Sequence, residues 1–140
     1  KLTDSGERIA IVGGHDSSDI ASRLKDISPQ IFSFCGTSTL LETAHILKHS
    51  KLAIGGDTGV MHIACALGIP IVSVWGCTRP SLGLSPWKPN PKSSILLPHN
   101  RGNKPCSRHG AKCKFSKINE DLCINHVSAE VIVAASSVSL

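Results

Sequence analysis

Short apolar runs alternate with helical patterns along the first 75 residues, and that alternation limits the fold more than any other feature. Residues 8–13 (RIAIVG), 31–34 (IFSF), 51–54 (KLAI) and 71–75 (IVSVW) are too short for helices and rich in branched side chains, so they read as buried strands. Residues 16–27 read as a helix with Ile20, Leu24 and Ile27 on one face, Asp16 or Ser17 as cap and Pro29 as stop. A second helix runs from Thr39 to His49. Thr39 and Glu42 have capping-box spacing, and Leu40, Leu41, Ala44, Ile46 and Leu47 form its apolar stripe. A third covers residues 58–67 and stops at Gly68, with Pro70 before the fourth strand. Residues 94–97 suit a fifth strand, and Ser128 caps a last helix reaching about residue 137. This order predicts an α/β fold with an open parallel sheet. Ligands of such sheets bind beyond the carboxyl ends of the strands, which aligns the turns at 13–16, 36–38, 55–59 and 76–78 along one rim.

The chain has 140 residues, 41% hydrophobic and 18% charged, which suits one domain with a core at 8–97, a tail at 98–127 and the terminal helix. No apolar run approaches the ~20 residues of a membrane span. The opening KLTDSG reads as a linker, so the expectation is a piece of a longer protein.

The net charge of +5 is unevenly spread: residues 58–119 hold no Asp or Glu but nine cations, Arg79, Lys88, Lys92, Arg101, Lys104, Arg108, Lys112, Lys114 and Lys117. Such a run is either a solvated basic loop or a field for an anionic ligand, a phosphorylated acceptor or a membrane surface. Nucleic acid is disfavoured, since five aromatic residues with no Tyr offer few stacking platforms.

The turn Gly55-Gly56-Asp57-Thr58-Gly59 has the parts of a phosphate site. Glycines let backbone approach a ligand, and a helix start presents free N–H groups and a favourable dipole. Thr58 adds a hydroxyl and His62 lies one helical turn further in. Asp57 repels phosphate, so it either caps the helix or meets a hydroxyl or amine beside the phosphates. The competing reading makes Asp57 only a cap and His62 a packed core residue. Neither G-x-G-x-x-G after the first strand nor G-x-x-x-x-G-K-[ST] is present, against a simple NAD dehydrogenase or P-loop ATPase.

Residues 57–64 (DTGVMHIA) followed by 66–70 (ALGIP) resemble the D-T-G-x-x-H-x-A-x-A-L-G-x-P signature of the heptosyltransferase-like glycosyltransferases, glycosyltransferase family 9. Residues 75–80 (WGCTRP) are similar to that family's G-P-T-x-P turn, and 36–40 (GTSTL) to its G-x-T/S-x-L turn. The resemblance covers about residues 8–97. It implies the carboxyl-terminal, donor-binding half of a GT-B enzyme, each half Rossmann-like. It further implies inverting, metal-independent transfer of a sugar, by family default from ADP-heptose, to a lipopolysaccharide core. Asp57, Thr58, Gly59 and His62 would then hold the diphosphate and adjoining sugar, Thr37 and Ser38 would line the base, and Asp16 would bind the ribose. No catalytic base is assigned to this chain, because the family carries it in the amino-terminal domain. The isolated chain is therefore expected to bind donor without turnover. The setting implied is cytoplasmic and peripheral at the inner membrane, with contact through the basic tail. Cys77 stands in place of the turn's proline, Arg79 replaces a frequent aspartate, and Asp16 is shorter than the usual Glu.

Cys35, Cys65 and Cys77 read as small buried hydrophobes or free thiols. Cys106, Cys113 and Cys123 lie in the tail beside His109 and His126 at spacings that match no C-x2-C pair, so reduced, unliganded thiols are favoured. Zinc on Cys106, Cys113, Cys123 and His109 is the alternative. Trp75, Trp87 and residues 86–91 read as a packed surface loop. His15, His45, His49 and His99 show no partner in the sequence. Two rival readings remain, a non-catalytic α/β binding or interaction module and a fragment of a GT-B sugar-nucleotide epimerase.

Overall fold

The computed structural model describes residues 1–99, 104–109, 113 and 122–139. The tail cations Arg101, Lys112, Lys114 and Lys117 lie outside them. The chain divides into two compact units, Lys1–His49 and Ser50–Leu140. Among the described residues the strand pairings are parallel, in a two-stranded sheet β1-β2 and a three-stranded sheet β3-β4-β5, which is an α/β arrangement.

In the first unit, β1 (Ile9–Ile11) pairs with β2 (Ile31–Ser33), Ile9 opposite Ile31. A 3-10 turn at His15–Ser17 precedes α1 (Ser18–Lys25), so the helix starts two residues later than the sequence pattern indicates and Ser17 makes no side-chain cap bond. In α2 (Leu40–Lys48) the capping box forms: the Glu42 amide donates to Thr39 Oγ1 at 3.3 Å and the Thr39 amide to Glu42 Oε2 at 2.7 Å.

The expected apolar stripe of α1 is rotated from the face that is buried, and that of α2 is buried only in its Leu47 half. Ile20, Leu24 and Ile27 are exposed, Ile27 by 70%, while α1 packs on β2 and buries Ala21. Leu40 and Leu41 are likewise exposed, and α2 buries Thr43 and Leu47. The two-stranded sheet offers little surface to α1, and the small Ala21 is what the helix buries there.

In the second unit β4 (Ile71–Val74) is central, between β3 (Ala53–Gly55) and β5 (Ser94–Leu96). Its Ile71, Val72 and Val74 suit a strand covered on both faces, and the buried Ser73 hydroxyl accepts from Trp75. α3 (Gly59–Ala66) packs on β3 and β4, and α4 (Ala129–Ser139) on β4 and β5. α3 ends in a Schellman motif: Gly68 adopts φ +73°, its amide donates to the Cys65 carbonyl and that of Ile69 to Ala64. α4 starts where Ser128 Oγ accepts from the Val131 amide at 3.4 Å. Trp75 is 1% exposed, as the end of the expected fourth strand should be and unlike the surface loop also expected of it, and donates from Nε1 to Ser73 Oγ at 3.0 Å, whereas Trp87 is exposed. Among the described residues no helix is long and apolar enough to cross a membrane.

Candidate functional site

The sequence places the glycine-rich turn of the second unit between a strand and a short helix, and the structure gives that turn a definite form. Gly55 ends β3 with Met61 Sδ packed where a Cβ would sit, and Gly56 lies against the Val74 carbonyl at the end of β4. A side chain at Gly55 would press on the Met61 thioether, whereas one at Gly56 would meet ordinary contact only. Thr58, in extended conformation, is the N-cap of α3, and its hydroxyl makes no cap hydrogen bond. Asp57 precedes the cap and is exposed, so the expectation that Asp57 caps the helix is corrected.

Thr58, Gly59 and His62 are exposed, and the space beside Gly59 is open. His62 therefore is not a core histidine. The Met61 amide turns back to the Thr58 carbonyl at 3.1 Å. The first turn of α3 thus presents a hydroxyl, the helix dipole and, on its fourth residue, an imidazole. Such a set neutralises an anion, and a carboxylate one residue earlier suits a neighbouring hydroxyl.

In the first unit the turns after β1 and β2 meet. The Gly36 amide donates to the Gly13 carbonyl at 2.9 Å, and Gly36 takes φ +67°. The Asp16 carboxylate folds back over Gly14, within 3.5 Å of Ser17 Oγ. Ser38 Oγ donates to the Phe34 carbonyl at 3.1 Å, which leaves it to accept from Thr43 Oγ1 at 3.0 Å. Thr37 and Ser38 line a pocket of about 300 Å³ together with Phe34, Glu42, His45 and Ile46. Its walls are an aromatic ring, an imidazole and an aliphatic chain with hydroxyls at the edge, the mixture that suits a flat heterocycle.

Sequence reasoning assigned no role to Phe34, His45 or Ile46. Glu42, His45 and Ile46 have i, i+3, i+4 spacing and share one helical face, which was the available signal. His45 also stacks against His49, with ring centroids 4.5 Å apart, and His99 meets His126 edge-on at 5.6 Å.

The cysteines depart from expectation in one respect. Cys106, Cys113 and Cys123 converge with Cys77, and His109, exposed, is not in that group. Burial first, then hydrogen bonds with the neighbouring thiols, push the Cys77 and Cys123 thiols up, and burial pushes Cys65 up.

A family model described as glycosyltransferase family 9 (heptosyltransferase) matches residues 1–117. Over 90 residues the chain is 29% identical to lipopolysaccharide heptosyltransferase 3 of Escherichia coli, covering 61% of this chain and 26% of that protein. Over 84 residues it is 25% identical to lipooligosaccharide heptosyltransferase 2 of Haemophilus influenzae, covering 56% of this chain and 24% of that protein. The crystal structure of a family 9 glycosyl transferase from Veillonella parvula shares the fold, with a TM-score of 0.77 at 17% identity over 97% of this chain and 37% of that one. The aligned part thus amounts to about a quarter of the length of either curated relative.

Proposed function

The chain belongs to glycosyltransferase family 9, and from that premise we propose that it is the donor-binding part of an inverting glycosyltransferase acting in lipopolysaccharide core synthesis. The observation that carries this reading is the start of α3, where Thr58, Gly59 and His62 are exposed together on the residues that match the family signature. The donor is a nucleoside-diphosphate sugar, ADP-heptose by family default. Its diphosphate lies at the first turn of α3, held by the Thr58 hydroxyl, backbone amides and His62. Asp57 takes a hydroxyl of the adjoining sugar.

Taken by itself, the first unit offers the pocket lined by Thr37 and Ser38, whose aromatic and aliphatic walls suit a nucleotide base, and Asp16 is its candidate for a ribose hydroxyl. Inverting transfer needs a base on the acceptor and charge stabilisation on the departing nucleoside diphosphate. These residues supply the second need. The base is assigned to the amino-terminal half of such an enzyme, so this chain binds donor and does not turn it over. No metal takes part in the transfer. The acceptor is of lipopolysaccharide type, and the basic stretch that includes Lys104 and Arg108 meets anionic lipid at the cytoplasmic face of the inner membrane.

Calorimetric titration of the chain with ADP, UDP and an ADP-sugar tests the reading. Saturable binding of ADP and the ADP-sugar without release of free sugar supports it. Absence of binding by all three favours the interaction-module alternative, and release of sugar refutes the assignment of the base elsewhere.

A further inference from the structure

We propose that Cys77, Cys106, Cys113 and Cys123 form a closed, four-thiolate site for one structural zinc ion. Their four sulfur atoms lie within 4.8 Å of one another. Cys106 Sγ is 3.5 Å from Cys123 Sγ and 3.9 Å from Cys113 Sγ, and Cys113 Sγ is 3.5 Å from Cys123 Sγ. Zinc–thiolate bonds of about 2.3 Å in a tetrahedron put sulfurs about 3.8 Å apart. The observed separations bracket that edge. They are far longer than the ~2.05 Å of a disulfide.

Chance packing of small apolar side chains accounts poorly for the cluster. Cys77 and Cys106 are separated by 29 positions, Cys106 and Cys113 by 7, and Cys113 and Cys123 by 10. Four of the six cysteines nevertheless meet at one point. Thiols are weak mutual hydrogen-bond partners, so their own interactions give little reason to gather. A soft divalent cation does. Cys106 and Cys123 are buried and four sulfurs complete a tetrahedron, which leaves no position for substrate or water and makes the site structural.

The surrounding backbone is organised around the same point. The amides of Cys106 and Ser107 both donate to the Cys77 carbonyl, at 3.1 and 3.3 Å. Cys123 begins a 3-10 turn, Cys123–His126, whose Ile124 packs against Gly76. Zinc binding displaces a proton from each thiol and leaves a complex of two net negative charges. The ion staples the tail to the turn after β4, the segment similar to the family's G-P-T-x-P turn. The site differs from the donor reading in both residues and chemistry. The family match ends at residue 117, before Cys123.

The test is elemental analysis of the chain purified under reducing conditions without chelator, then reconstituted with Zn²⁺ and gel-filtered. About one zinc per chain is expected. Cobalt substitution is expected to give thiolate-to-cobalt charge transfer and the intense visible bands of tetrahedral coordination. The variant His109→Ala keeps both the zinc and the spectrum. Cys77→Ser weakens retention and shifts the cobalt bands toward a three-sulfur set. Should Cys77→Ser fail to fold, wild type and His109→Ala still decide between Cys77 and His109. The proposal is overturned by no retained metal after reconstitution, by iron in place of zinc, by a disulfide among these cysteines in the reduced preparation, or by a cobalt spectrum that changes in His109→Ala.

Discussion

The His15 imidazole lies over Gly36, so close that a Cβ at Gly36 would collide with the ring. This contact joins the turn after β1 to the turn after β2, which also share the bond from the Gly36 amide to the Gly13 carbonyl. Two constraints therefore fall on one residue, a left-handed backbone at φ +67° and an occupied space.

Gly36→Ala is expected to destabilise the chain by about 2–3 kcal/mol, the sum of left-handed strain and overpacking. His15→Ala in the same background removes the collision and should recover part of the loss, with the backbone strain remaining. Urea unfolding of the two single variants and the double variant checks this. Equal midpoints for Gly36→Ala with and without His15 would show that the ring contact carries no energy.

The Thr39–Glu42 capping box links helix formation to pH. The Thr39 amide, and after it the Thr39 hydroxyl, hold the Glu42 carboxyl below the usual carboxylate range. A carboxylate depressed by folding contributes stability above its unfolded pKa, and that contribution is lost as pH falls through the folded value. Thr39→Ala should cost about 1 kcal/mol at neutral pH. Glu42→Gln should flatten the acid limb of the stability profile. An acid limb that is unchanged in Glu42→Gln contradicts the assignment.

The capping box was legible because its two residues are three apart and interact through local geometry. The Schellman stop at Gly68 and the Ser128 cap were legible for the same reason. Burial was not. The periodicity of Ile20, Leu24 and Ile27 identified a helix but pointed to the wrong inward face, because a helical stripe does not reveal how much sheet lies opposite it. Trp75 read both as the end of a buried strand and as part of a loop, since nothing local shows that its indole reaches Ser73 inside the core. The residues proposed to bind the donor were legible as a motif, and the exposure of His62 needed the fold. Cys77 escaped notice as a partner of the tail because 29 positions separate it from Cys106, and such pairings are set by chain reversal.

His62 and Asp57 should affect donor binding in different ways. His62→Ala is expected to weaken ADP about 10-fold or more, the loss of one hydrogen bond to a charged oxygen. Asp57→Ala should weaken an ADP-sugar while leaving inorganic pyrophosphate unchanged or tighter, because the carboxylate meets the sugar and repels phosphate. Calorimetry on both variants with both ligands checks the split. Equal losses for the two ligands in Asp57→Ala would place Asp57 in a purely structural role.

The central claim is that α3 begins at a diphosphate site, and amide NMR of the chain titrated with ADP measures it most directly. Saturating shifts should concentrate at Thr58, Gly59 and His62. If saturating ADP and UDP both leave the Thr58, Gly59 and His62 signals unmoved, the donor-binding account is wrong.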